Sequence, residues 1–124
     1  MSEAWSNTLI DNLPFDVFVI GSEGRYVLQN ACCRNNWGDI IGKRPEDVCA
    51  DKETLALWKN NNARAFAGET IEEDVSFRIK GEEKFFHNIL SPIRENDTII
   101  GIVGIHIDIT NWYHIVIYIA RCAV

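Results

Sequence analysis

The sequence predicts an α+β domain in which one five-stranded antiparallel sheet carries its helices on one face. Two strand-like segments come first and are joined by a glycine-rich turn over residues 21–24. A single long helical stretch lies in the middle of the chain, and three strand-like segments with period-two alternation end it. Helices inserted between two groups of antiparallel strands pack as a layer on one face of their sheet.

Length and composition describe one folded domain. Of the 124 residues 47% are hydrophobic and 24% are charged, and both fractions are ordinary for a globular protein. A chain of this length buries about two thirds of its unfolded surface without needing disulfides. The net charge of −6, with no run of Lys or Arg, argues against nucleic acid or an anionic membrane as a partner.

Cysteine usage and the N-terminus predict a cytoplasmic location. The four cysteines contain no CxxC pair, which favours a reducing compartment and gives no zinc-type spacing, so we expect no metal site. The first residues lack the basic and apolar regions of a signal peptide, and no apolar segment is long enough to span a bilayer.

The first half of the chain predicts a cap helix, a hairpin and short connecting helices. A helix over 8–12, capped by Ser6 or Asn7 and ended by Pro14, makes residues 1–14 an N-terminal cap. Strands over 15–20 and 25–29 form the hairpin. Asn30 is the expected N-cap of a helix that stops at Gly38, and a further helical turn lies within 40–48.

The second half predicts the longest helix and three strands. Asp51 caps this helix and Gly68 closes it. Its predicted inward face carries Leu55, Trp58, Asn62, Ala65 and Phe66. The three consecutive asparagines at 60–62 are predicted to lie mostly on a solvated face. Strands over 71–80, 84–92 and 99–110 follow, with turns at 81–83 and 95–97, so that the main domain covers 15–110.

The last predicted strand has two unlike faces. Alternation places Ile102, Gly104, His106 and Asp108 on one face and Val103, Ile105, Ile107 and Ile109 on the other. The glycines indicate open space beside His106, as in a strand that lines a cavity. In the preceding strand Phe86, Asn88 and Leu90 share a face, so inward-pointing Asn88 and His106 would give an apolar pocket two polar groups.

A series of short motifs extends over residues 8–110: Gly21-Ser22-Glu23-Gly24-Arg25, Asn30, Trp37-Gly38, Ile41-Gly42, Gly81, Ser91-Pro92-Ile93, and Gly101-Ile102-Val103-Gly104-Ile105 leading into Asp108-Ile109-Thr110. In their order and spacing these motifs resemble the PAS domain family. The resemblance implies strand order 2-1-5-4-3, a sheet cupped around a small pocket, and a sensory and dimerisation module of a signalling protein such as a sensor histidine kinase. It also implies that Asp108 and Thr110 form the signal exit motif, bonding locally to fix the direction of the chain.

The resemblance disfavours flavin and heme as cofactors and leaves the cofactor unknown. Pro45 stands where the flavin-binding light sensors place their adduct-forming cysteine, and Phe86 stands where they usually have a flavin-binding asparagine. His106 occupies the position from which those members direct a side-chain amide at the cofactor. Heme-binding members commonly take their iron ligand from the long helix, and residues 51–68 contain no histidine.

A small organic molecule is the ligand that such a pocket would take. The expected contacts are His106, Asn88, Phe86, Leu90, Ile102, Trp58 and Asn62. Alternatively, His106 and Asn88 are core residues satisfied by protein groups or water, and the helical stripe is core. Two further alternatives are redox sensing by Cys32 and Cys33, if a helix N-terminus lowers their thiol pKa, and pH sensing by His106.

The outer sheet face predicts a homodimer. Val103, Ile105 and Ile107 need cover, which Leu9, Ile10 and Leu13 can supply in part and a second subunit can complete. A ligand-free protein interaction module is therefore the competing function, and an acid–base enzyme that uses an acid such as Asp74 beside a pocket histidine is a third. The effector would be a separate region or chain.

The hydrophobic tail 111–124 departs from the charged heptads that often follow the exit motif in this family. Its β-branched and aromatic residues predict a strand or a docked peptide rather than a free signalling helix.

Overall fold

The computed structural model describes residues 3–122, with the side chains at 113–115 and 117 excepted. In chain order the elements are α1 (Glu3–Asp11), β1 (Asp16–Gly21), β2 (Tyr26–Gln29), α2 (Ala31–Trp37), α3 (Pro45–Val48), α4 (Lys52–Phe66), β3 (Ile71–Ile79), β4 (Glu82–Glu95), β5 (Thr98–Asp108) and α5 (Thr110–Cys122). The strands form one sheet in the order β2-β1-β5-β4-β3, and every neighbouring pair is antiparallel. The predicted fold class and strand order are confirmed.

The caps of the two central helices lie where the sequence places them. The Asn30 side chain accepts a hydrogen bond from the backbone N–H of Cys33, and the Asp51 side chain accepts one from Thr54. Each satisfies a donor that the first helical turn leaves without a partner. Gly38 follows α2 with a φ of 77°, a conformation that favours glycine.

Helix α1 begins earlier than predicted, so Ser6 and Asn7 lie inside the helix and are not its caps. No glycine or proline interrupts residues 3–11, and nothing in that stretch stops a helix before Pro14. None of its residues is buried, and α1 packs against α2.

Strand β4 extends beyond the predicted 84–92 because both of its connections are two-residue turns. Lys80 and Gly81 have φ of 53° and 83°, and Asn96 and Asp97 have φ of 50° and 66°. Positive φ at both central residues is the geometry that matches the twist of paired strands, so pairing continues to the turn itself. The long β4 supplies both the inward Asn88 and the outward His87.

The C-terminal tail forms helix α5, so the prediction of a strand or docked peptide for 111–124 is wrong over residues 111–122. Strand pairing ends at Asp108, whose carboxylate accepts a hydrogen bond from the backbone N–H of Thr110 and turns the chain. Beyond that point β-propensity has no partner strand to act with, and it is a weak preference on its own. Residues 123 and 124 lie outside the described part.

The core lies between the sheet and the helices α2 to α4. One buried cluster includes Phe18, Ile20, Leu90 and Ile102, and a second contains Phe77, Ile79 and Phe86. Trp37 packs against both clusters. Within residues 3–122 no helix is long and apolar enough to cross a bilayer.

Candidate functional site

An inner cavity lies between the concave face of the sheet and helices α2 and α4. Its volume is about 30 Å³, which is room for one or two water molecules. Most of its wall is apolar or aromatic. The lining residues are Phe18, Ile20, Tyr26, Cys33, Trp37, Ile40, Val48, Trp58, Asn61, Asn62, Asn88, Leu90 and His106.

The structure brings most of the predicted contact residues to this cavity. The lining includes His106, Asn88, Leu90, Trp58 and Asn62. Phe86 and Ile102 are almost fully buried on the same face of the sheet, but they belong to the surrounding core and do not line the cavity. The alternation in β4 and β5 thus assigned the inward faces correctly.

The open space predicted beside His106 is present as the inner cavity, but the space that Gly104 leaves is filled by the ring of Phe18. Phe18 faces Gly104 in the β1–β5 pairing, and a Cβ at Gly104 would collide with the far edge of that ring. The ring also packs edge-on against His106, with centroids 5.2 Å apart. The glycine therefore admits an aromatic side chain that itself lines the cavity.

Three buried polar atoms at the cavity have no hydrogen-bond partner among the described residues. They are Nε1 of Trp58, Oδ1 of Asn88 and Nδ1 of His106. They come from α4, β4 and β5, and all three residues line the inner cavity. Each such atom costs about 1–3 kcal/mol if it stays unsatisfied, and folded proteins keep few of them. Three such residues around one cavity mark it as a candidate binding position inside a largely apolar core.

His106 is a neutral imidazole at physiological pH. Burial lowers its pKa to about 4, and the nearby Asp16 carboxylate opposes that shift only in part. Nδ1 of His106 lies 3.9 Å from Oδ2 of Asp16, too far for a hydrogen bond. The prediction that His106 senses pH near neutrality is therefore wrong.

Asp16 is a site residue that the sequence reasoning missed. It is 1% exposed, and its carboxylate accepts hydrogen bonds from Nδ2 of Asn36 at 2.7 Å and Nε1 of Trp37 at 3.0 Å. It thereby fixes the Trp37 ring that walls the cavity. The available signal was an acidic residue at the start of an otherwise apolar strand.

The Asn30 side chain joins three elements in addition to capping α2. Its Oδ1 accepts from the backbone N–H groups of Val17 and Cys33, and its Nδ2 donates to the carbonyls of Ile10 and Phe15. All four hydrogen bonds are 2.9–3.0 Å long, and the residue is fully buried. The amide therefore fixes how α1, β1 and α2 meet.

The thiols are unsuited to the predicted redox role, and the expectation of a lowered pKa is wrong. Burial, assisted by the Asp16 carboxylate, raises the pKa of Cys32 to about 11. Burial likewise raises the pKa of Cys33 to about 12. Both side chains are protonated at neutral pH, and the thiolate is the reactive form. Desolvation and a neighbouring carboxylate outweigh the effect of the helix N-terminus.

One of the three consecutive asparagines on α4 is buried, so the solvated assignment is wrong for Asn61. Its Nδ2 donates to the Glu73 carboxylate on β3 at 2.6 Å, and its side chain borders the cavity. This hydrogen bond ties α4 to the edge of the sheet. Helical spacing alone did not reveal it, because the partner lies on a strand that follows later in the chain.

An outer cleft of about 410 Å³ lies behind an aromatic cluster made by Trp37, Trp58 and Phe77. The three rings pack edge to face with centroid distances of 5.5–6.0 Å. Trp37 and Trp58 border both the inner cavity and the outer cleft. The remaining lining of the cleft is Val48, Cys49, Ala50, Asp51, Thr54, Ser76, Arg78 and Glu83.

Asp74 lies on the opposite face of the sheet from the cavity. Its carboxylate contacts Nδ1 of His87 at 2.8 Å, and Glu72 contacts Nε2 of the same ring at 2.8 Å. Hydrogen bonds to these two carboxylates raise the pKa of His87. The predicted pairing of Asp74 with a pocket histidine is wrong, because the two residues fall on opposite sides of the pleat.

The exit motif has the local bonds that the resemblance implies. Asp108 accepts from the backbone N–H of Thr110 at 2.9 Å, and the Thr110 hydroxyl accepts from the backbone N–H of Phe85 at 3.0 Å. Lys84 lies 3.7 Å from the Asp108 carboxylate. The start of α5 is thus attached to β4, and it lies four residues after His106.

The outer apolar surface is only partly covered. Val103, Ile105 and Ile107 are half-buried, as are Ile10 and Leu13. Leu9 is 62% exposed and Trp5 is 68% exposed. The predicted dimer surface therefore retains exposed apolar side chains on α1.

Solved structures of PAS domains share this architecture. The PAS domain of BvgS from Bordetella pertussis is 23% identical and has a TM-score of 0.74, with 97% of this chain and 95% of that chain covered. A PAS domain from Colwellia psychrerythraea is 18% identical and has a TM-score of 0.70, with 87% and 97% covered. The chain has the PAS fold.

A third similar structure is VqmA from Vibrio cholerae in a complex with ligand and DNA. It is 15% identical with a TM-score of 0.76, and the match covers 89% of this chain but only 53% of VqmA. The chain thus spans about half the length of that protein. No protein-family model and no curated protein matches the sequence.

Proposed function

We propose that this chain is a sensory module that binds a small organic molecule in the inner cavity and passes the signal to a separate effector, such as a histidine kinase. The observation that carries the proposal is that three residues lining one cavity, Trp58, Asn88 and His106, each have a buried polar atom without a hydrogen-bond partner among the described residues. An apolar pocket with a few convergent polar groups is typical of small-molecule sites. VqmA, which has a similar fold, is known in complex with a ligand.

The same geometry supports a route for the signal. His106 and Asn88 face each other across the β4–β5 pairing, and Phe86, two residues from Asn88, pairs with Asp108 of the exit motif. A ligand that repositions the Asn88 and His106 side chains acts on the two strands that hold the start of α5. Helix α5 then carries the change toward the effector. We propose a homodimer as the unit in which this happens.

The cavity volume favours a small ligand. About 30 Å³ of free space is far below the roughly 300–1,000 Å³ of a site for a drug-sized ligand or a large cofactor. Flavin and heme would need extensive opening of the core, which agrees with the residue differences at Pro45 and Phe86.

A ligand-free interaction module is the second candidate, and the exposed apolar side chains of α1 and α5 favour it. Leu9 on α1 and Trp112, Val116 and Ile119 on α5 are all exposed. Apolar surface of this kind marks interaction sites. In this reading the cavity is part of the core and holds only water.

Native mass spectrometry with an absorbance scan separates the two candidates. The protein is purified from its own host or a rich expression host as wild type, His106→Ala and His87→Ala. His87 is the matched control, because it lies next to Asn88 on β4 but on the outer face. We expect a bound small molecule on wild type and His87→Ala that is lost from His106→Ala. Three colourless proteins without added mass would instead support the interaction module.

A further inference from the structure

The unpartnered atoms of Trp58, Asn88 and His106, which all line the inner cavity, differ in what they can bind, and this difference limits the ligand. The indole Nε1 of Trp58 can only donate a hydrogen bond, and the Oδ1 of Asn88 can only accept one. Nδ1 of His106 can do either, according to its tautomer, because the ring is neutral at physiological pH. A ligand that satisfies all of them must carry both an acceptor and a donor.

Charged ligands leave part of this set unsatisfied. A carboxylate has no donor for Oδ1 of Asn88, and among the described residues no Lys or Arg lines the inner cavity to neutralise it. It would also face the Asp16 carboxylate beyond His106. An ammonium or amidinium group has no acceptor for the indole N–H of Trp58, and the nearby carboxylate of Asp16 is not part of the cavity lining. Burying either charge without a partner is unfavourable.

We propose that the inner cavity selects an uncharged molecule that carries a hydrogen-bond acceptor and a donor close together, as an amide does. The inference rests on the proposed function and specifies the chemical class of its ligand. Asn88 accepts from the ligand's donor, Trp58 donates to its acceptor, and His106 completes the contacts.

Trp58 also determines how the ligand gains room. Its side chain is only partly buried and, with Trp37 and Val48, borders both the inner cavity and the outer cleft of about 410 Å³. Turning the Trp58 ring away from Trp37 and Phe77 joins the two spaces. The ligand therefore enters from the outer cleft and remains in contact with the ring that moved.

Three probes of the same shape but different charge test the inference: benzamide, benzoate and benzamidine. Their binding to the wild-type protein is measured at pH 7.5 by ligand-detected NMR titration. The same titrations are made with Trp58→Ala, in which we expect the cavity and the cleft to be joined. We expect benzamide to bind at least about tenfold more tightly than either charged probe, because only benzamide pairs with both Asn88 and a donor.

Two substitutions at Asn88 test which group discriminates. Asn88→Leu removes the acceptor at nearly constant volume and is expected to weaken benzamide binding by about tenfold. Asn88→Asp adds a charge at the same position and is expected to move the preference to benzamidine. His87→Gln on the outer face is the control and leaves the order of the three probes unchanged. Circular dichroism checks that each variant is folded.

The results separate this inference from the proposed function. Equal or tighter binding of benzoate or benzamidine to the wild type overturns the inference, as does failure of benzamide to bind both the wild type and Trp58→Ala. A charged molecule found by native mass spectrometry, and lost in His106→Ala, also overturns it while confirming that the cavity is a sensing site. An empty cavity in that experiment removes the proposed function itself.

Discussion

His106 is held neutral by the rings that surround it. The rings of Phe18, Phe77 and Phe86 have centroids 5.2, 5.3 and 5.9 Å from its own. An imidazolium in this position would lose its hydration and gain only the Asp16 carboxylate at 3.9 Å in return. The residue therefore acts as an uncharged hydrogen-bonding group, and its protonation opposes folding.

Stability is expected to fall in acid because of His106. Its folded-state pKa of about 4 lies below the ordinary value of 6.5, so between these values the unfolded chain binds the extra proton. Above pH 6.5 the neutral His106 side chain does not lower the free energy of unfolding. As the pH falls toward 4, protonation of the unfolded chain lowers that free energy by up to about 3 kcal/mol. Urea unfolding of wild type and His106→Phe at several pH values measures it. The variant should lose less stability in acid, and parallel pH profiles would contradict the assignment.

His87 is expected to give the opposite slope. Hydrogen bonds to Asp74 and Glu72 raise its pKa, so its stabilising effect is present below the ordinary histidine pKa and is lost as the pH rises. His87→Gln should therefore cost more stability at pH 5.5 than at pH 8.5. NMR titration of the two imidazoles provides the direct check, since the His87 pKa should lie above that of a model peptide and the His106 pKa far below it.

Asn30 is expected to be intolerant of even an isosteric change. Asn30→Asp removes the donors to the carbonyls of Ile10 and Phe15 and places a charge in a fully buried position. We expect a loss of at least about 2 kcal/mol in the free energy of unfolding, measured with urea. Asn35→Asp on the exposed face of the same helix is the control and should change stability little. Equal effects of both substitutions would contradict the role given to Asn30.

At the scale of the elements, the packing of strand β1 against strand β5 depends on one glycine. Gly104 gives the Phe18 ring the space it needs, so Gly104→Ala should destabilise the fold by about 1–3 kcal/mol. Phe18→Leu shortens the opposing side chain, and the double variant should therefore be more stable than the sum of the two single effects predicts. Thermal and urea unfolding of the three variants measure this coupling. Strict additivity would contradict the contact.

The strands that the sequence predicted best are those with one buried face. In β4 and β5 the alternation of apolar and polar residues identified the inward side chains, because a shift by one residue would expose the whole apolar set. The length of β4 and the helical state of α5 were not predictable in the same way, because the two-residue turns and the end of strand pairing at Asp108 decided them. The early start of α1 was open to prediction, since no glycine or proline interrupts residues 3–11.

The residues of the candidate site were only partly predictable from the sequence. Trp58 and Asn62 follow from the stripe on α4, and Asn88 and His106 follow from strand alternation. The contributions of Asp16 and Asn61 depend on partners that are distant in sequence, namely Asn36, Trp37 and Glu73. No spacing rule connects such pairs in a single sequence, so burial and hydrogen bonding had to be read from the fold.

At the scale of the whole molecule, the exposed face of α1 predicts self-association. Leu9→Asp places a charge in the proposed dimer surface and should shift the protein from dimer to monomer. Leu57→Asp, at an exposed position on α4, is the matched control and should leave the dimer intact. Sedimentation velocity measures the distribution. A monomeric wild type, or an equal response of both variants, would contradict the dimer surface.

A high-resolution crystal structure of the protein purified from its own host decides whether the inner cavity is a binding site. We expect electron density for an organic molecule that hydrogen-bonds to Asn88 Oδ1 and to either Trp58 Nε1 or His106 Nδ1, with the Trp58 ring displaced toward the outer cleft. Density for one or two waters on these atoms, with Trp58 packed between Trp37 and Phe77, would instead show that the cavity is part of the core.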